Sequence, residues 1–162
     1  MISLRIYRTV GGIIPPILVL LIILTACTGL QEKKSAASYF EEGALLLKQG
    51  KYDEAIEKYK KGLRREPRSA VLYNDLGIAY RYKYNQLRSL DWKQKEIEAF
   101  KKAIELDPNF YLPYINLGDT YYGMGNLKEA AIYYRKGLEI FPEHPNRDLI
   151  EQMIQDWERE GR

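Results

Sequence analysis

A recurrence with a step of 34 residues constrains this chain more than any other feature of its sequence. Tyr39 is answered by Tyr73, Gly43 by Gly77 and Pro108 by Pro142, each at that step. The first copy carries Tyr39, Gly43, Gly50, Tyr52, Ala55, Tyr59, Gly62 and Pro67. The second carries Tyr73, Leu76-Gly77, Tyr80, Phe100, Ala103 and Pro108, and the third Tyr114, Leu117-Gly118, Tyr121, Ala130, Tyr134 and Pro142. The spacing has a mechanical reading. Two antiparallel helices approach closely only where a small residue (Gly118, Ala130) faces a large one (Tyr121, Tyr134), and a proline stops the second helix before the next pair begins.

These markers follow the order aromatic-x2-Leu-Gly-x2-Tyr…Ala-x3-aromatic…Pro, and over roughly residues 36–144 the chain resembles the tetratricopeptide-repeat (TPR) family. The resemblance implies an all-α fold, a right-handed α-solenoid of three TPR helix pairs at about 36–69, 70–110 and 111–144, with a capping helix in 145–162. In the first pair, helix is expected over Ala36 to Lys48 and Asp53 to Arg65, with a turn at Gln49-Gly50, and Pro67 disfavours helix at Glu66. Glu42 stands where the family has Leu before Gly43, which predicts looser packing in this end repeat.

The second copy departs further. From Gly77 to Gly118, and from Pro67 to Pro108, the step is 41 residues, seven more than the period. Seven residues are close to two helical turns, so a longer first helix and an early second one, starting near Asp91, absorb them without rotating either apolar face. A protruding hairpin from Tyr82 to Lys95 is the expected result, with Tyr84 and Trp92 as candidate contact residues and Leu87, Leu90 and Trp92 seeking packing partners. A floppy loop is the plainer alternative. Glu96, where the family has a small Ala, leaves the packing of this repeat open.

Residues 1–26 are of a different kind. They lack acidic residues, carry Arg5 and Arg8, and run apolar from Ile13 to Leu24, 12 residues against the ~20 needed to span a bilayer. A basic start, a short apolar run and a small-residue site read as a secretory signal peptide. Its site, Leu24-Thr25-Ala26-Cys27, resembles a bacterial lipobox. That resemblance implies cleavage before Cys27 and a covalent lipid, diacylglyceryl plus palmitate-type acyl chains, on this single cysteine, with 27–35 as lipidated N-terminus and polar tether. Thr28 after the Cys implies the outer membrane, periplasmic face, if the organism is Gram-negative. An uncleaved anchor and an ordinary signal peptide are the alternatives. Without residues 1–26 the chain holds 23 basic and 22 acidic residues, a balance that gives nucleic acid no electrostatic hold.

At the other end Leu149, Ile150, Met153, Ile154 and Trp157 form one apolar stripe, suited to covering the exposed core of the last repeat. Glu151, Asp156, Glu158 and Glu160 make its polar face too acidic for a membrane-surface helix.

Groups for catalysis are sparse: the chain has one His (His144) and one Cys, with no His/Cys cluster to hold zinc and no Gly-rich phosphate loop. Neither an enzyme, a metal nor a cofactor beyond the lipid is expected. In TPR proteins the first helix of each pair lines a concave groove. The resemblance places Phe40, Ala44 and Leu47, then Asn74, Ile78, Arg81 and Tyr82, then Ile115, Asp119 and Tyr122 on that face. This predicts an apolar, aromatic groove for a peptide or partner helix. Chaperone-tail-binding TPR domains hold a terminal carboxylate with a clamp of Lys, Arg and Asn. The matching positions here, Phe40, Ala44, Asp75, Leu112 and Asn116, include no cation. The expected protein is a membrane-anchored adaptor or scaffold in the bacterial cell envelope. It resembles small TPR lipoproteins that assist pilus secretin assembly, outer-membrane protein insertion or peptidoglycan synthesis. A self-assembling structural protein, its solenoid ends stacking into a homo-oligomer, and a signal-anchored cytoplasmic body are the competing readings.

Overall fold

The computed structural model describes residues 34–160, all of whose regular elements are helices. The signal segment, Cys27 and the tether as far as Lys33 lie outside the described residues. Seven helices follow in order: α1 (Ala36–Lys48), α2 (Tyr52–Arg65), α3 (Ala70–Leu87), α4 (Leu90–Leu106), α5 (Tyr111–Gly123), α6 (Leu127–Ile140) and α7 (Arg147–Glu160). Each packs chiefly on its neighbours in sequence, which is the contact pattern of a solenoid.

Local chemistry sets the boundaries. The Ser35 and Ser69 hydroxyls cap α1 and α3 by accepting from the Ser38 and Leu72 amides at 3.1 and 3.4 Å. Gly50 and Gly125, at φ 73° and 77°, let the chain leave α1 and α5 in the left-handed conformation. Lys51 N–H then returns to the Leu46 carbonyl and Asn126 N–H to that of Tyr121. Pro67, Pro108 and Pro142 each stand two residues past a second helix, and Glu66, Asp107 and Phe141 before them take non-helical ψ of 80–93°.

The repeat's small residues act as the spacing predicts, with one change of partner. A Cβ on Gly43, Gly77 or Gly118 would lie 2.7, 2.6 or 2.3 Å from the rings of Tyr59, Phe100 and Tyr134 respectively. These three rings are fully buried and seal each helix pair. Tyr121 is not the large partner of Gly118: it is half-buried and stacks on Tyr133 at 5.4 Å. Residues 34–162 form a compact unit of their own, with three core clusters among the described residues.

The extra turns in the second pair are helical. α3 runs to Leu87 and α4 starts at Leu90, joined by Arg88 in the left-handed conformation (φ 56°) and Ser89. Tyr82 stacks on Tyr52 at 5.3 Å and Lys83 pairs with Asp53, so α3 still touches α2 at that level. Trp92 packs on Tyr80. Leu87 and Leu90, expected to find partners, remain 53% and 76% exposed at the apex. In α7, Ile150 and Ile154 are buried on the last repeat and Met153 and Trp157 half-buried, while Leu149 faces out at 58% exposure. The capping stripe is therefore narrower than the sequence pattern.

Candidate binding groove

Residues at equivalent positions of α1, α3 and α5 form rows across the face that lines the groove in such solenoids. One row is Ala37, Val71 and Leu112; further along the helices come Phe40, Asn74 and Ile115, then Ala44, Ile78 and Asp119, then Leu47, Arg81 and Tyr122. The first row, which the sequence reading passed over as groove lining, is exposed at all three positions. Tyr82 and Tyr122, both 45% exposed, supply aromatic surface near the helix ends.

Two corrections concern the floor. Ile115 is not groove lining: it is buried over Gly137, with its Cδ1 where a Cβ on that glycine would fall within 2.5 Å. Asn74 is buried as well, and Ile78, Leu47 and Phe40 pack half-buried against the cores, Phe40 on Tyr59. The predicted apolar floor is instead polar at its centre.

That centre is built around Glu96, whose side chain is fully buried. Arg81 Nε donates to Glu96 Oε1 at 2.8 Å, Thr120 Oγ1 to the same oxygen at 2.6 Å, and Lys93 Nζ to Oε2 at 2.7 Å. Arg81 also donates through Nη1 to Asn116 Oδ1 (3.2 Å) and through Nη2 to the Asn116 carbonyl (2.7 Å) and Thr120 (3.1 Å). Its guanidinium lies 5.1 Å from the centre of the Phe100 ring. Asn116 Nδ2 donates to Asn74 Oδ1, and Asn74 Nδ2 to Asp75. A carboxylate in place of the family's alanine thus ties α3, α4 and α5 together. A buried charge is tolerable only when paired and hydrogen-bonded, and this one meets three donors. The sequence signal was available in the joint presence of Glu96 and Arg81 on partnered helices.

Around this centre the carboxylates differ. Burial pushes the Asp75 carboxyl above its ordinary value, opposed by the Asn74 hydrogen bond. Asp119 is half-exposed, accepts from the Tyr134 hydroxyl at 2.8 Å and lies 3.9 Å from Arg81. Burial, then the Asp119 charge, pushes the Tyr134 phenol up. Of the clamp-equivalent positions, Phe40 packs inward, Leu112 is exposed, Asp75 is an acid that accepts from Asn74 and Asn116 uses both ends of its amide inside the network. Among the described residues no three His, Cys, Asp or Glu side chains group as a metal site, and no helix is long and apolar enough to cross a membrane.

Models of one repeat family match residues 43–81 (described as TPR repeat), 87–110 and 111–144 (both described as tetratricopeptide repeat). These segments are tetratricopeptide repeats. Residues 82–86, five positions of the hairpin, fall between two matched segments. Among solved structures the TPR body is similar to the first TPR of Spaghetti (RPAP3) bound to the HSP90 peptide SRMEEVD. The identity is 27%, with 75% of this chain and 92% of that one covered and a TM-score of 0.64. The Sgt2 TPR domain of Aspergillus fumigatus shares the fold at 21% identity, with 77% and 78% covered and a TM-score of 0.64. So does the second TPR domain of human RPAP3 in complex with an HSP70 peptide, at 23% identity, 74% and 94% covered and a TM-score of 0.62. No curated protein matches the sequence.

Proposed function

We propose that the chain is a non-enzymatic adaptor whose groove binds a segment of a partner protein, held at a bacterial envelope membrane by lipid on Cys27. The observation that supports binding is the open face itself: the exposed row Ala37, Val71 and Leu112, with Tyr82 and Tyr122 further along, on a repeat fold whose 27%-identical neighbour carries a bound peptide. The ligand differs in chemistry from that neighbour's acidic tail. Among the described residues the cations at this centre, Arg81 and Lys93, are already spent on Glu96, Asn116 and Thr120, and the half-exposed Asp119 would repel a carboxylate. A segment with apolar side chains for the exposed row, and neutral or cationic groups over the centre, fits better. Anchoring is supported by the Leu24-Thr25-Ala26-Cys27 site and the apolar run before it.

Affinity capture from native envelopes, with wild type beside a Leu112→Glu/Tyr122→Ala variant, tests the groove. A partner recovered by wild type and lost by the variant supports the reading, and identical recovery by both refutes it. Metabolic labelling with a palmitate analogue tests the anchor separately. Label on wild type and none on Cys27→Ala is expected, and an unlabelled wild type removes the lipoprotein reading.

A further inference from the structure

The α3–α4 hairpin carries surface chemistry that the groove does not use. Its apex is convex and apolar: Leu87 and Leu90, 53% and 76% exposed, flank the two-residue turn. Just behind the apex stand two aromatic rings, each covered by cations. Lys93 Nζ lies 4.0 Å and the Arg88 guanidinium 5.8 Å from the Tyr84 ring centre, and Lys95 Nζ lies 4.2 Å from that of Trp92. Residues 82–95 hold four basic side chains against one acidic, Asp91. Glu96 engages Lys93 and Asp53 engages Lys83, which leaves Arg88 and Lys95, both exposed, against Asp91.

Aliphatic tip, aromatic collar and flanking cations are the layers of an element seated in a membrane interface. We propose that this apex enters the surface of an anionic bilayer, Leu87 and Leu90 reaching the acyl boundary while Arg88 and Lys95 meet lipid phosphates. A protein partner is the weaker fit, because two leucines on a two-residue turn, 53% and 76% exposed, make a small apolar area without the pocket that anchors a protein hot spot among the described residues. Reach permits the contact. The starts of α1 and α3 line one cavity, so the apex lies one α3 length, about 27 Å, from where the described chain begins. The seven peptide steps from Cys27 to Lys34 extend to about 25 Å. A chain held at Cys27 can therefore set the apex on the same membrane. Two leucines and two cations bind weakly when free, and attachment raises their effective concentration.

The test does not depend on how the cell attaches the chain. Residues 27–162, which include the whole compact unit, are coupled through the Cys27 thiol to a maleimide lipid in vesicles. The vesicles are of phosphatidylcholine alone or with phosphatidylglycerol, and both carry brominated acyl chains. In a Trp92→Phe/Trp157→Phe background, Leu90→Trp reports the apex and Leu149→Trp, an exposed site on α7, reports mere proximity. Bromine should quench Leu90→Trp well beyond Leu149→Trp on the anionic vesicles and no more than it on the neutral ones. Replacing Arg88 and Lys95 by Gln should lower the docked-to-free ratio about fivefold for each cation. Equal quenching of the two reporters on anionic vesicles overturns the proposal and leaves the apex to an acidic protein partner. Loss of palmitate label, by contrast, would touch only the anchor reading.

Discussion

Glu96→Ala restores the residue that the repeat family favours, and it should destabilise the protein. The substitution removes the acceptor that Arg81 Nε, Lys93 Nζ and the Thr120 hydroxyl share. Breaking a fully buried pair from one side costs about 3–5 kcal/mol. Arg81 and Lys93 keep 24% and 12% of their side-chain surface in water, so their stranded charges are partly solvated. This places the cost near the lower end, ~3 kcal/mol, or roughly 10 °C in Tm for a body of this size. Urea unfolding followed by circular dichroism measures it. The damage should also be local. The network joins α3 and α4 to α5, so in a solenoid held by nearest-neighbour terms α5–α7 should lose hydrogen-exchange protection while α1–α2 retain theirs. A double-mutant cycle with Arg81→Ala separates network from packing. If the groups act as a unit, the double variant costs less than the two single costs together. A Glu96→Ala protein within about 0.5 kcal/mol of wild type, or strict additivity in the cycle, would refute the reasoning.

Two glycines of α5 should answer alanine with opposite signs. Gly118→Ala drives a Cβ to 2.3 Å from the buried Tyr134 ring and should cost about 1–3 kcal/mol even after the helix-propensity gain, whereas Gly123→Ala meets open space and should stabilise by about 0.5–1 kcal/mol, both read from urea midpoints. At acid pH the Glu42 carboxyl matters. The side chains of Lys34 and Lys58, bonded to it, hold it at about 2 against an ordinary 4.5. A carboxyl lowered on folding contributes stability that is complete above its unfolded value and lost as pH falls from about 4.5 to about 2. Glu42→Gln should therefore flatten the stability profile across that window, and an unchanged acid limb would show that the pairs contribute nothing.

What the sequence made legible follows from which positions are dictated by helix-pair contact. Gly43, Gly77 and Gly118 admit only the close approach of Tyr59, Phe100 and Tyr134, and the three prolines can only end helices, so architecture and helix bounds could be read directly. The seven-residue insertion was legible for the same reason: two whole turns keep a helix face in phase. The groove was not. A row position states which face of its own helix a residue occupies, while burial depends on how closely the next pair approaches. Ile115 and Leu112 lie on the same helix, three residues apart. One drops over Gly137, where no side chain competes, and the other stays in water. Leu87 and Leu90 defeated the hydrophobic expectation because among the described residues no neighbouring helix covers the hairpin tip, a fact about other helices that their own sequence does not carry.

The departures from the repeat pattern share a logic. An insertion that lengthens α3 and α4 increases the leverage of anything that binds the apex, and the same pair receives Glu96, the only carboxylate buried in the core among the described residues. Arg81 sits one residue before the insertion and reaches across to Asn116 and Thr120 of the next pair. Directional hydrogen bonds fix one geometry where an apolar contact would allow sliding. Arg81 is thus the side chain that ties the lengthened pair to the floor of the groove. The coupling has a measurable consequence: with Arg81→Ala, the body should still fold and still dock at the apex, yet its groove should hold the captured partner less tightly. Unchanged capture by that variant would separate the two surfaces and leave the network a purely structural bolt.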